Sequence, residues 1–320
     1  MMKRKIFSDL KKCFYKCSIT EVNGLEIISY DKAKLQNTVV ALGKFEGIHK
    51  GHMLLLDEVM KIAVSENLTS VVLTVNVPSD KVINTTAEKY GILNKQGIDV
   101  VVPCTFTKAF ASIMPEEFVK KVLVEGLGAK YVVVGEDFRY GHKRSGNCDT
   151  LKNDGEKYGF KLVSFPKLVI ENNVVSSSYI RGLIEAGKME NVYRYMGRYY
   201  TVCGTIVHGK MLGRTIGFPT VNIISADEKL LPPFGVYASK LEIYGQTYNA
   251  ITNIGLNPTV DDDRSVKIET HILNYDGDLY GKEVQVYLTG FIRHEIKFNS
   301  IEELKAQLEK DKLYVSQIKS

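Results

Sequence analysis

Two histidines three residues apart, His49 and His52, lie in the stretch Gly43-Lys44-Phe45-Glu46-Gly47-Ile48-His49-Lys50-Gly51-His52, where a short β-branched run gives way to a helical pattern. Glycines there let the backbone approach a ligand closely. Free amides at a helix N-terminus favour an anion such as phosphate. At that spacing both imidazoles can face one phosphate group. Donors set in advance against charge that develops on phosphates contribute about 3 to 4 kcal/mol each. Capping or lining the helix is the competing role for the same two side chains.

A second stretch, Gly204 to Asn222, packs four glycines (Gly204, Gly209, Gly213 and Gly217) into fourteen residues and ends in Phe218-Pro219-Thr220-Val221-Asn222. Backbone amides in such a loop wrap phosphates without a P-loop lysine. Thr220 and Asn222 are two apart, so on a strand they project from one face. Their oxygens are hard ligands suited to Mg²⁺, which keeps several waters and bridges to nucleotide phosphates. A simple turn-ending role is the alternative for the pair. Further on, Glu269 and His271 share one face of another strand candidate.

These residues need a scaffold in two parts. From Thr38 to about Phe165, short apolar runs (Val39–Leu42, Val71–Val75, Val100–Val102, Tyr131–Val134, Leu162–Phe165) alternate with amphipathic stretches (Met53–Glu66, Glu88–Gln96, Pro115–Leu127, Thr150–Tyr158). That alternation predicts an α/β, Rossmann-like domain with a parallel sheet. A helical stretch follows Ser176 and runs to Met196. Beyond Tyr199 the pattern becomes short strands (Thr201–Val207, Val236–Ile243, Thr247–Ile254, Val266–Leu273, Val284–Leu288) punctuated by Gly, Pro, Asn and Asp, which predicts an antiparallel barrel. A last helix, Ile301–Leu313, is expected to pack on the barrel through Ile301, Leu304 and Leu308. The change of pattern gives domains 1–187 and 188–320.

With 320 residues, 44% hydrophobic and 25% charged, the chain is long for one core and ordinary for a globular protein. A net charge of +5, dispersed apart from Lys3-Arg4-Lys5 and Lys11-Lys12, gives no basic face for nucleic acid. Phosphate-bearing small molecules account for the same excess. Cys13 and Cys17 have no companion pair at zinc-site spacing. Without a signal-like apolar run or the roughly 18 apolar residues of a membrane span, the expectation is a cytoplasmic protein with no nucleic-acid or membrane partner. Oligomeric state is left open.

The segment 43–52 resembles the G-x-F-D-G-x-H-x-G-H signature of bacterial bifunctional riboflavin kinase/FAD synthetases. Val134-Gly135-Glu136-Asp137-Phe138-Arg139-Tyr140-Gly141 is similar to that family's glycine-flanked acidic loop, and Ser176-Ser177-Ser178-Tyr179-Ile180-Arg181 to its S-S-T-x-I-R element. Residues 204–222 match its G-x-x-x-x-G-x-x-x-G-R-x-x-G-x-P-T-x-N pattern along the whole length. The resemblance implies ATP, riboflavin, FMN and FAD as substrates or products, and Mg²⁺ with ATP. It further implies catalytic roles for His49, His52, Arg181 and Glu269, with Glu269 as base towards a ribityl hydroxyl. Nucleotide or flavin binding would fall to Gly43, Phe45, Gly47, Gly51, Asp137, Ser177, Ser178, Gly204, Gly209, Gly213, Arg214, Gly217, Pro219 and Arg293, and metal binding to Thr220 and Asn222. The turns Asn253–Thr259 and Gly277–Gly281 also match, as elements of structure.

Two departures stand out. Glu46 replaces the family's Asp, and Thr74-Val75-Asn76-Val77-Pro78-Ser79-Asp80 lacks the aromatic and histidine of a T-F-D-P-H-P-like stretch. Two other functions therefore stay open: a riboflavin kinase with an altered first domain, and a flavin- or nucleotide-binding regulator without turnover.

Overall fold

The computed structural model describes residues 24–77, 79–208, 217–256 and 266–317. Two compact units divide between Ser177 and Ser178.

The first unit is a six-stranded sheet in the order β1-β4-β3-β2-β5-β6, parallel throughout. Its strands are β1 (Glu26–Ile27), β2 (Thr38–Gly43), β3 (Thr69–Asn76), β4 (Val100–Thr105), β5 (Ala129–Gly135) and β6 (Lys161–Phe165). The strand order reverses between β2 and β5. In open parallel sheets ligands bind beyond the carboxyl ends of the strands at such a reversal.

Helix α1 (Lys50–Glu66) starts where β2 ends and buries Leu55, Leu56, Val59, Ile62 and Ala63. Helix α2 (Thr86–Lys95) opens with a full capping box between Thr85 and Glu88. After the short α3 (Lys108–Ala111), α4 (Pro115–Glu117) continues as a π-helix over Phe118–Gly126, where one continuous α-helix is expected from sequence. Helix α5 (Cys148–Tyr158) is capped by Asn147 and stopped by Gly159 in the left-handed region. A small hairpin, β7 (Val169–Ile170) and β8 (Asn173–Val174), has too few residues to leave a periodic signal.

In the second unit, α6 (Ser177–Glu185) and α7 (Met189–Met196) are separated at Gly187, whose φ of +70° breaks the helical stretch. Six antiparallel strands then close a barrel in the order β10-β13-β12-β11-β14-β9. They are β9 (Tyr200–Val207), β10 (Thr220–Ser225), β11 (Gly235–Ile243), β12 (Gln246–Leu256), β13 (Val266–Ile272) and β14 (Glu283–Arg293). Strand alternation sends Ile268, Thr270 and Ile272 into the barrel and Lys267, Glu269 and His271 outward. Inside, a ladder of buried hydroxyls links Ser239 to Thr252 at 2.8 Å and Thr252 to Thr270 at 3.0 Å.

The terminal helix α8 (Ile301–Gln317) runs longer than expected, and its buried residues, Asp311 and Val315, continue the expected stripe of Ile301, Leu304 and Leu308 by one and two turns. Val315 joins Val236, Ala238, Ile251 and Leu273 in a core on the outer barrel wall, and Asp311 is also buried, whereas Ile301 is exposed. Along the expected face Ile301 is exposed, Leu304 and Leu308 are half-buried, and full burial is reached only towards the end of the helix. An acidic residue occupies that face, where periodicity looks for an apolar one.

Candidate functional site

At the carboxyl end of β2 the chain turns through Gly43–His49 into α1. His49 is the N-cap of α1, its Nδ1 accepting the amide of His52 at 3.3 Å. The two imidazoles stack with centroids 3.7 Å apart, and the Phe45 ring lies 5.0 Å from that of His52. Capping and a shared orientation are thus both realised. Phe45 and Ile48 are fully buried with φ of +47° and +38°, a conformation that L-residues rarely adopt. Phe45, expected at a bound ligand, shapes the turn from within. Gly43 and Gly51 have no side chain because one would press on the Phe45 ring or on His49. Gly47 lies beside Ile83 and Ser177.

Asp137 follows β5, the neighbour of β2, and pairs with Lys167 at 3.1 Å. Ser177 begins α6, and Ser178 and Arg181 follow on the same helix, Arg181 half-buried. A charged residue that the sequence did not single out sits at the carboxyl ends of β2 and β3: Lys89 of α2, 7% exposed, reaches the Lys44 carbonyl at 3.3 Å and Asn76 Oδ1 at 3.2 Å. Lys89 precedes Leu93 by four residues, and a lysine on the buried stripe of an amphipathic helix is the signal that would have found it.

In the barrel, Asn222 is the register partner of Glu269 across β10 and β13, and Asn253 of β12 is the next partner of Glu269. Directly paired residues share a face, so Asn222, Glu269 and Asn253 form one outward row. Thr220 pairs with His271 in the row beside it. Lys267 holds Glu269 by an ion pair of 2.6 Å. His271 Nδ1 donates to the Pro219 carbonyl at 2.8 Å, pinning the start of β10. Burial lowers the His271 pKa from 6.5, opposed by that hydrogen bond. The buried Asn253 Oδ1 has no hydrogen-bond partner among the described residues.

Gly217 has a φ of +84° with open space where a side chain would be. Gly204, expected at a ligand, points into the barrel, where a side chain would collide with Ile223 and Ile224 of β10. Its smallness serves strand packing. Arg293, also expected at a ligand, gives Nε and Nη2 to Asp311 at 2.8 to 3.1 Å and Nη1 to the His294 carbonyl, tying β14 to α8. Gly209, Gly213 and Arg214 lie outside the described residues, as do Cys13 and Cys17.

Among the described residues no three His, Cys, Asp or Glu side chains gather as a metal cage. Thr220 and Asn222 supply neutral oxygens beside the Glu269 carboxylate, with the unsatisfied Asn253 Oδ1 in the same row. That donor set fits a hard cation held by few protein groups and completed by water and phosphate.

Residues 31–179 match the family described as FAD synthetase and residues 196–319 the family described as riboflavin kinase. A bifunctional riboflavin kinase/FMN adenylyltransferase of Listeria monocytogenes is 36% identical over 287 residues, 86% of this chain and 90% of its own length. Its counterpart in Bacillus subtilis is 34% identical over 299 residues, 89% of this chain and 93% of its own. A crystal structure from Streptococcus pneumoniae, described as a macrolide-efflux protein, has a TM-score of 0.83 at 30% identity, covering 92% of this chain and 99% of that one. In the present chain no helix of the described residues is long and apolar enough to cross a membrane.

Proposed function

The chain belongs to the bifunctional riboflavin kinase/FMN adenylyltransferase family, and from that premise we propose which of its residues serve each reaction. It carries a riboflavin kinase domain, which phosphorylates riboflavin to FMN, and a FAD synthetase domain, which adenylylates FMN to FAD.

For the kinase, the observation that carries the assignment is the Asn222–Glu269 pairing. The ribityl terminal oxygen attacks the γ-phosphorus of ATP in line as the bond to the β-phosphate oxygen breaks, and the hydroxyl proton passes to Glu269. Positioning and charge neutralisation dominate such transfers. Thr220 and Asn222 would hold Mg²⁺, which supplies positive charge at the nucleotide phosphates. Lys267 fixes the Glu269 carboxylate, and His271 fixes Pro219 ahead of Thr220. The loop with Gly209, Gly213, Arg214 and Gly217 is assigned to the nucleotide by its similarity to the family pattern.

For the transferase, an FMN phosphate oxygen attacks the α-phosphorus of ATP and pyrophosphate leaves, with no covalent enzyme intermediate. Charge stabilisation is assigned to His49, His52 and Arg181, and nucleotide or flavin binding to Gly43, Gly47, Gly51, Asp137, Ser177 and Ser178, by their similarity to the family's motifs. The position of the histidines at a helix N-terminus beyond a parallel strand supports this. We set the functional division at 187/188, between the two family matches. Among the described residues Cys104 and Cys148 are free thiols, which supports the proposed cytoplasmic location.

The test is incubation of the protein with riboflavin, ATP and Mg²⁺, with riboflavin, FMN and FAD separated over time. FMN followed by FAD is expected. FMN alone would mark a kinase whose altered sequence stretch, Val75 to Ser79, disables the first domain, and no product would leave a binding protein.

A further inference from the structure

We propose that Lys89 is a positioning residue of the adenylyl-transfer site, tying the β2–α1 turn that carries His49 to the end of β3 and keeping a buried positive charge at that edge. The proposal rests on the transferase assignment above.

The Lys89 ammonium is held by three neutral oxygens: the Lys44 carbonyl at 3.3 Å, Thr74 Oγ1 at 3.4 Å and Asn76 Oδ1 at 3.2 Å. Thr74 Oγ1 itself donates to the Lys44 carbonyl at 2.9 Å, so that one carbonyl accepts two side-chain donors. Lys44 directly precedes Phe45, the first of two non-glycine residues in the left-handed region before His49. Such a turn persists only when its surroundings over-determine it, and Lys89 with Thr74 anchors its first peptide. At the other end of the contact, the Asn76 carbonyl accepts from Phe106 at 3.1 Å, and its side chain also bonds Tyr90. Lys89 thus joins the phosphate turn to the neighbouring strand end through one cation.

A leucine or methionine would fill the same space without desolvating a charge. Burial lowers the Lys89 pKa to about 8, and Glu46, inside the turn, acts in the opposite direction. Tyr90, pushed up to about 12 by burial, remains a phenol, and Glu88 is engaged with the Thr85 amide at 2.9 Å. Thr74 and Asn76 do not titrate. A cation whose charge is costly to keep, adjacent to a turn that receives phosphate, is stabilised when the anion arrives.

The experiment compares wild type with Lys89→Met, Lys89→Arg and Asn76→Asp in the full-length protein, measuring FMN from riboflavin and FAD from FMN separately across pH. Lys89→Met is expected to lower kcat/KM for FAD formation by about 10²-fold, the scale of a small misplacement of reacting groups, and to leave FMN formation unchanged. In wild type, kcat/KM for FMN should fall as pH rises through about 8, because the charged form is the active one. Arginine keeps its charge and removes that limb. Asn76→Asp sets a carboxylate against the ammonium and moves the limb to higher pH. Normal FAD formation by Lys89→Met overturns the proposal. So does an Asn76→Asp profile that coincides with wild type, which would leave Lys89 a packing residue. Absence of FAD from wild type itself removes the transferase assignment and this proposal together.

Discussion

Asn222 and Glu269 face each other across β10 and β13 on the outer wall of the barrel, two register positions from the pair Thr220 and His271. A neutral oxygen ligand and a carboxylate are thereby held side by side by backbone pairing, independent of any loop.

Glu269→Gln keeps the shape and removes the base. Turnover of riboflavin should fall by about 10² to 10⁴, the usual contribution of a general base, while nucleotide affinity and FAD formation from supplied FMN persist. Steady-state kinetics with equilibrium nucleotide binding checks this, and a fully active variant would remove Glu269 from the mechanism.

The two roles of His49 separate by substitution. Asparagine is a good N-cap and can accept the His52 amide, so His49→Asn should leave the unfolding of the first unit nearly unchanged. FAD formation should nonetheless drop by about 10² to 10³, as when one preorganised donor is lost. His49→Ala should add about 1 kcal/mol of destabilisation from the lost cap. If the asparagine variant retained full transferase activity, His49 would be a cap alone.

Arg293 and Asp311 form a pair in which the carboxylate is almost wholly buried. Asp311→Asn should destabilise the second unit by about 3 to 5 kcal/mol, because the guanidinium is left unpaired. Replacing both partners with apolar residues should recover much of the loss. Denaturant unfolding, followed by a probe in the barrel, distinguishes this from direct flavin or nucleotide binding by Arg293, which predicts weak ligand affinity in a stable variant.

Burial holds the His271 pKa below 6.5 despite the bond to the Pro219 carbonyl. Its ring should therefore be neutral at pH 7 and protonate only as pH falls below that value. An NMR titration midpoint above 6.5 would show that the ring is not buried against β10.

The sequence by itself determined the architecture, a parallel sheet with helices followed by a closed antiparallel barrel. The β-branched runs at 39–42, 71–75 and 131–134 have no other stable role than buried parallel strands, and all three are strands in the sheet. Local chemistry likewise marks the histidine turn, because a helix start after a strand is encoded by neighbours. What tertiary structure alone decided are the relationships between distant residues. Glu269 faces Asn222 through a register that no spacing reveals. Asp311 could be placed in a helix but not against Arg293, and the helical stripe of Lys89 and Leu93 does not tell that β3 and the β2–α1 turn close over the ammonium. The same holds for Gly204, where a side chain would meet the backbone of β10. Periodicity reports which face of an element is apolar. Where a charged group is buried and what meets it depend on strand pairing and helix docking, which are properties of the whole chain.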